Sequence, residues 1–240
     1  MPFVLTAVLL VAAVLLWVLW RHRVRQRREA WIRQAPFPKG LFAQVQKIHP
    51  ALTQRDLELV AHGLRQFFLA YLKSGHGYVS MPSQVADALW HEFILSTRQY
   101  EAFCRHAFGR FLHHAPAVSL TAQKRSNEGL RRCWRLVCQE ENINPRAPSR
   151  LPLLFALDAK FGIAGGYHYI ADCSGVRRDR GNGQGGGGDV YCGGDFSDAS
   201  FDGGTNGLSD GDGGSWGGSD GAGDGGGGDG GGGGCGGGGD

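Results

Sequence analysis

The sequence predicts an all-α fold with an N-terminal transmembrane helix, a compact multi-helix domain and a disordered C-terminal tail rich in Gly and Asp. Three observations predict it. Residues 3–20 form an apolar run interrupted only by Thr6, the middle of the chain carries apolar positions at helical spacing, and about half of residues 181–240 are glycine. No run with strand periodicity is long enough to build a sheet. The predicted boundaries are 1–30 for the anchor and its basic flank, 31–180 for the helical domain and 181–240 for the tail.

The apolar run predicts an uncleaved membrane anchor. Its eighteen residues form about 27 Å of helix, enough to cross the hydrocarbon core of a bilayer. A secretory signal would carry its positive charge before the apolar run and a small-residue cleavage site after it. Here only Met1 and Pro2 precede the run, and Trp20 followed by arginines ends it.

Five arginines follow the run directly and predict its orientation. They are Arg21, Arg23, Arg25, Arg27 and Arg28. Because positive flanks stay on the cytoplasmic side, we expect a single-pass protein of the cell (inner) membrane, with its N-terminus outside and its domain and tail in the cytoplasm. The same arginines can bind anionic lipid at roughly 1 kcal/mol each near the surface, or serve as a topology signal alone.

The tail differs from the rest of the chain in charge and composition. All 25 Lys and Arg residues precede Gly181 together with 12 acidic residues, whereas the tail holds ten Asp and no basic residue. With so little apolar surface to bury, the tail is predicted to be disordered. Its Asp residues keep no fixed period, which argues against a calcium-binding repeat, and a role as a tether or partner-recruiting segment stays open. The basic body lacks a recognisable nucleic-acid-reading motif, so nucleic acid is not an expected partner.

All six cysteines are predicted to be reduced thiols, because the domain is expected in the cytoplasm. They are Cys104, Cys133, Cys138, Cys173, Cys192 and Cys235. None of them forms a Cys-x-x-Cys pair, so a structural zinc ribbon is not expected.

Capping residues and helical spacing define the helices of the body. Thr53 followed by Asp56 resembles a capping signal and begins a first helix, which ends at Gly75. Ser83 is the predicted N-cap of a second helix that runs to Leu95. Further helical segments are predicted from about Thr97 to Gly109, from about Ala122 to Glu141 and from Leu153 to Phe161, and order is expected to fade over residues 165–169.

The strongest candidate for a chemical site begins on the second helix. Asp87 and His91 are four residues apart, so their side chains meet on one helix face and the carboxylate can orient the imidazole. Such a pair supports a metal ligand or a general base, or it ties the helix to its neighbour. The second histidine that a zinc-protease helix needs would stand at Leu95, so that class of enzyme is excluded.

Cys104 and the pair His113-His114 complete the candidate cluster. Cys104 lies on the apolar stripe of the third helix, where core packing, metal ligation and a nucleophilic role are all open interpretations. His113 and His114 follow the end of that helix and can either bond its terminal carbonyls or bind metal. If His91, Cys104, His113 and His114 form a metal site, zinc is the expected occupant, since imidazole and thiolate ligands suit it.

Several spaced residues resemble the core signature of the glycine-rich-domain-containing (GRDP-like) family. The shared positions are Asp87-x-x-Trp90-His91, Tyr100-x-x-x-Cys104, Phe108-Gly109 and, as in bacterial members, Leu151-Pro-Leu-Leu-Phe155-x-x-Asp158. The resemblance covers residues 41–169 and implies a helical domain without implying an activity. Phe93 stands where eukaryotic members often carry a second histidine, and the His113-His114 pair is a feature of the bacterial version.

Two classes of function follow from the sequence. The first is a membrane-anchored cytoplasmic module for interaction or scaffolding, whose partners are the lipid bilayer and a protein bound by the tail or the domain. The second is a metal- or thiol-dependent enzyme centred on His91. The anchor and the tail favour the first class. The two classes differ in whether the polar side chains meet in an accessible cleft.

Overall fold

The computed structural model describes residues 2–114, 123–171, 190–193 and 196. These residues are mostly helical, as predicted, and include one small sheet. The helices are α1 (Pro2–Gln34), α2 (Leu41–Ile48), α3 (Gln54–Lys73), α4 (Gln84–Leu95), α5 (Thr97–Phe108), α6 (Gln123–Glu140) and α7 (Leu153–Phe161), and the strands are β1 (His168–Ile170) and β2 (Val190–Cys192). Helix α2 is the one element before α3 that the capping and spacing patterns did not predict.

Helix α1 continues without a break from the apolar run into the packed body. It is the one helix in the described part of the chain that is long and apolar enough to cross a membrane, and none of its apolar window is buried. Near its other end, Ile32 is fully buried and the Trp31 ring lies 4.8 Å from the ring of His106 on α5. Arg33 forms an ion pair with Glu140 at the end of α6. The last turns of α1 are therefore part of the body.

Helix α3 is the centre of the body. Its start confirms the predicted cap, because the Thr53 hydroxyl accepts from the Asp56 amide and the Asp56 carboxylate accepts from the Thr53 amide. Most of the helix is buried, and it packs against α1, α4, α6 and α7. Gly63 allows α7 to approach closely, since a side-chain carbon there would lie 2.6 Å from a methyl carbon of Leu157.

Two polar side chains bind the start of α7: the buried Gln66 of α3 and the partly buried Glu141, which directly follows α6. The Gln66 amide donates to Glu141 at 2.8 Å and accepts from the Leu154 backbone at 3.1 Å. Glu141 also accepts from the Leu153 backbone at 2.6 Å. The first amides of α7, which have no partner inside the helix, are thus satisfied by one side chain of α3 and one side chain that follows α6. The position of α7 matters for the site, because α7 carries Asp158.

The C-terminal part departs from two expectations. Order does not fade over residues 165–169: β1 pairs in parallel with β2, with Ile170 opposite Cys192. Phe196 is buried and packs with Trp134, Phe155 and Tyr169. Folded structure therefore extends past the predicted boundary at residue 181, because one aromatic side chain of the glycine-rich segment completes the core. The remaining residues of that segment lie outside the described part of the chain, where disorder stays a prediction.

The cysteines confirm the thiol prediction only in part. Cys104, Cys133 and Cys138 are buried free thiols, and burial raises the pKa of Cys138 to about 12. Cys192, by contrast, is disulfide-bonded, so the expectation of six reduced thiols is wrong at this residue. That expectation came from the predicted compartment alone, and sequence spacing does not show which cysteines tertiary structure brings together. Cys173 and Cys235 lie outside the described residues.

Candidate metal centre

A buried carboxylate of α7 fixes the N-terminus of α4. Asp158 is almost fully buried, and it accepts hydrogen bonds from the Ser83 hydroxyl at 2.7 Å and from the backbone amides of Gln84 and Val85 at 2.8 and 3.2 Å. It also accepts from the backbone amide of Tyr167 at 3.0 Å. A carboxylate at this end of a helix interacts favourably with the helix dipole and with amides that lack partners inside the helix. Asp158 thereby sets the position of the next turn of α4.

That turn carries Asp87, and one turn further stands His91. The Asp87 Oδ2 atom lies 3.4 Å from the His91 Nδ1 atom, as their four-residue spacing predicted. The Asp87 side chain is 29% exposed and the His91 side chain 51% exposed. The pair therefore faces the surface rather than a packed core.

His114 approaches the pair from the segment after α5. Its Nε2 atom lies 3.0 Å from Asp87 Oδ1, and its ring centroid lies 4.2 Å from that of His91. The Trp90 and His114 rings also pack edge to face, with 4.6 Å between the ring centroids. Asp87 is therefore shared by two histidines, and the hypothesis that His114 bonds the terminal carbonyls of α5 is replaced by this contact.

A buried hydrogen-bond chain holds the His114 segment in place. The Trp90 indole donates to the Tyr100 hydroxyl at 3.1 Å, and that hydroxyl donates to the Leu112 carbonyl at 2.6 Å. Burial raises the pKa of Tyr100, so the phenol keeps its proton and remains a donor. Trp90 and Tyr100 are core residues, since both are buried. They also turn residues 110–114 back onto α4.

The other two predicted metal ligands lie outside this group. Cys104 is buried. Burial raises the pKa of its thiol. A thiol in that state is a poor nucleophile, and the core interpretation of Cys104 fits its position. His113 is exposed, with its ring 4.7 Å from that of Phe111.

The three convergent side chains could hold a transition-metal ion. One ligand atom from each of Asp87, His91 and His114 can be chosen so that all lie within 4.8 Å of one another, and the described residues contain this one group of three. Bonds of about 2.0–2.1 Å in a tetrahedral zinc site place ligand atoms roughly 3.4 Å apart. Binding would therefore draw the atoms together, which rotation of the exposed His91 side chain allows. Three protein ligands leave a fourth position for water or another molecule.

Sequence reasoning missed the residue that positions this site. Asp158 entered only as part of a family resemblance, and its four hydrogen-bond donors come from residues 83–85 and Tyr167. The available signal was a single carboxylate in the apolar helix Leu153–Phe161. A lone buried carboxylate needs several donors, although its place in the sequence does not indicate which ones.

Comparison with known proteins gives one family. The UCP032817-like family model matches residues 27–196. The matched range begins in α1 beyond the apolar run and ends at Phe196, the last buried aromatic residue that the structure describes. No curated protein and no solved structure matches the chain. The likeness to the GRDP-like family remains a resemblance, which this match does not test.

Proposed function

The chain belongs to the UCP032817-like family, and we propose that it is a membrane-anchored helical interaction module that binds a zinc-type divalent ion. The observation that supports the ion site is the convergence of Asp87, His91 and His114 on an accessible surface. Imidazole and carboxylate groups are ligands for zinc. Interaction or scaffolding is proposed for the module as a whole, with a protein partner bound by the helical domain or by the tail.

The geometry of α1 supports an uncleaved anchor. Cleavage of a signal sequence after Trp20 would cut a continuous helix whose last turn carries the fully buried Ile32. Four of the five flanking arginines are exposed and Arg28 is half-buried. Arg25 pairs with Glu29 at 3.2 Å, and the Arg21 guanidinium lies over the Trp17 ring. The exposed arginines are the residues we propose for contact with anionic lipid.

Two features predict opposite faces of the membrane for the body. The five arginines after the apolar run favour the cytoplasmic face, and the disulfide at Cys192 favours an oxidising compartment. We propose the cytoplasmic face, because the arginines follow the run directly.

Reporter fusions after Asp240 measure this orientation. We expect a reporter that works only in the cytoplasm to be active, and one that works only after export to be inactive. The same fusions to a chain lacking residues 1–20 serve as the cytoplasmic reference. Activity of the exported reporter on the full chain would overturn the cytoplasmic orientation and agree with the disulfide at Cys192.

Metal analysis of the purified full chain tests the ion site. We expect one zinc ion per chain, and His91→Ala and His114→Ala should each weaken zinc binding at least tenfold, because each removes one of three ligands. Bound metal stabilises the fold, by about 2.7 kcal/mol when free zinc is 100 times its Kd. A chelator should therefore lower the melting temperature of the unaltered chain and leave that of His91→Ala unchanged.

His113→Ala is the matched control for the ion site. It removes an exposed histidine next to His114 that lies outside the group, so its zinc affinity should equal that of the unaltered chain. If the unaltered chain binds no stoichiometric zinc, Asp87 is a structural link between two histidines and the ion site is abandoned. If His113→Ala and His114→Ala lowered the zinc affinity equally, zinc would be bound diffusely by surface histidines rather than at this site.

A metal-dependent enzyme centred on His91 is the second candidate. The observation that favours it is the open side of the group, since catalytic zinc sites use three protein ligands and keep a position for water. A zinc-directed hydroxamate discriminates between the candidates: it should bind the zinc-loaded chain if the fourth position is free, and should not bind if a partner or a fourth side chain closes it. The position of Cys104 argues against the thiol-dependent alternative, because the residue is buried and burial raises the pKa of its thiol.

A further inference from the structure

A cavity of about 490 Å³ lies between α3, the start of α2 and the segment that precedes α2. This volume falls within the range of about 300–1,000 Å³ that is usual for small-molecule sites. None of the residues that line the cavity belongs to the group formed by Asp87, His91 and His114. The cavity is therefore a separate feature of the body.

The guanidinium of Arg65 contributes to the wall of this cavity. Its Nη2 atom donates to the Ala35 carbonyl at 2.9 Å, and its central carbon lies 4.4 Å from the centre of the Phe37 ring. Its Nε atom is buried without a hydrogen-bond partner, and no described carboxylate forms an ion pair with it. Burial lowers the pKa of Arg65. A partly buried guanidinium with five N–H donors and no anionic partner favours an anion in the adjoining cavity.

The N-terminus of α2 borders the same cavity. Gly40 is the N-cap of this helix, and no side chain caps it. Gly40 and Phe42 both line the cavity, as does the cationic side chain of Lys39. The free amides and the dipole at the start of a helix favour a negative charge. An uncapped helix start and two cationic side chains thus border one space.

Charge and surface together indicate the kind of anion. The cavity is lined by two cations, Arg65 and Lys39, and by one carboxylate, Glu58, which leaves one net positive charge. A monovalent anion balances that charge, whereas a divalent phosphate exceeds it. Phe37 and Phe42 supply an apolar wall, with 6.5 Å between their ring centroids. An inorganic ion would leave these rings in contact with water, and an apolar group on the ligand would cover them.

We infer that this cavity binds an organic carboxylate that carries one negative charge and an apolar group. The Arg65 guanidinium pairs with the carboxylate, since its planar arrangement of N–H donors matches two carboxylate oxygens. The start of α2 and Lys39 stabilise the same charge, and the apolar group packs against Phe37 and Phe42. This activity is additional to the proposed ion site and to the membrane anchor.

Saturation-transfer NMR of the full chain in phosphatidylcholine nanodiscs tests the site. The probe is phenylacetate, its uncharged analogue is phenylethanol, and empty nanodiscs correct for partition into lipid. For a ligand of this size we expect a Kd of about 1 mM or lower. Phenylethanol should bind at least tenfold more weakly, because it lacks the charge that pairs with Arg65. Inorganic phosphate should compete at least tenfold more weakly than unlabelled phenylacetate.

Two variants remove different parts of the site. Arg65→Gln should weaken phenylacetate binding at least tenfold, because it removes the cation. Ala43→Trp should abolish binding by filling the cavity, and it leaves Arg65 intact. Ala43 is exposed on the first turn of α2, so the variant should keep the melting temperature of the unaltered chain. It therefore tests the cavity even if Arg65→Gln fails to fold.

Arg55→Gln is the matched control, because it removes an exposed arginine of α3 that does not line the cavity. It should change the Kd less than twofold, and His91→Ala should do the same. Equal losses in Arg55→Gln and Arg65→Gln would overturn the site in favour of diffuse charge attraction. Unchanged binding by Ala43→Trp, or equal binding of phenylethanol, would also overturn it. Loss of binding in His91→Ala would place the carboxylate at the proposed ion site instead.

Discussion

Replacement of Asp158 by alanine is expected to lower the free energy of unfolding by about 3–5 kcal/mol, the cost of removing one partner from a buried charged network. The carboxylate accepts four hydrogen bonds, three of them from residues 83–85. Alanine would leave these buried donors without an acceptor and release the N-terminus of α4. Chemical denaturation of the full chain in detergent measures the loss.

Asp56→Ala is the matched control for this prediction. Asp56 also caps a helix with its carboxylate, but its position is partly exposed and its partner is the single residue Thr53. Loss of this local contact should lower the free energy of unfolding much less than loss of the buried Asp158 carboxylate. Asp158→Asn keeps one acceptor oxygen, so its loss of unfolding free energy should lie between those of Asp158→Ala and Asp56→Ala. If Asp158→Ala costs no more than Asp56→Ala, the Asp158 network does not fix α4.

Deletion of residues 181–240 is expected to destabilise the body, whereas deletion of residues 197–240 is expected to leave it unchanged. The first deletion removes β2 and Phe196, whose ring packs with Trp134, Phe155 and Tyr169. Loss of a buried Phe costs about 3–5 kcal/mol. At about 2–4 °C per kcal/mol for a chain of this size, the melting temperature should fall by roughly 6–20 °C.

Two further measurements identify the cause of that loss. Phe196→Ala in the full chain should reproduce most of the destabilisation, since we expect the aromatic packing of Phe196 to contribute more than the pairing of β2. Both deletions are compared under reducing conditions as well, which removes the effect of the disulfide at Cys192. Equal stability of the two truncated chains would show that β2 and Phe196 do not contribute to the body.

Local signals predicted the helices well and their contacts poorly. Thr53 and Ser83 each accept the expected backbone hydrogen bond, because a cap depends on residues only three positions apart. The composition around Phe196 predicts disorder, since its neighbours in the sequence are glycine, serine and aspartate. Its burial depends on Trp134 and Phe155, which lie far away in the chain, and composition does not contain that information.

In the candidate site, too, local spacing predicts contacts within one helix but not contacts between distant segments. The four-residue spacing of Asp87 and His91 predicted their contact, because a helix determines it. The choice of His114 over His113 depends on how the segment after α5 folds back, which the Tyr100 hydroxyl fixes by its hydrogen bond to Leu112. Adjacent histidines in an extended segment point in different directions, and only the register of that segment decides which of them meets Asp87.

Because α1 is unbroken, the orientation of the body is coupled to the orientation of the apolar run. Since Ile32 is buried in the body and the helix continues from it without interruption, any roll or tilt of the apolar run turns the whole body by the same angle. A single residue inserted between Trp20 and Trp31 would rotate the body by about 100° around the helix axis and raise it by about 1.5 Å. The length of this short stretch therefore sets the azimuth at which the Asp87, His91 and His114 surface faces its surroundings.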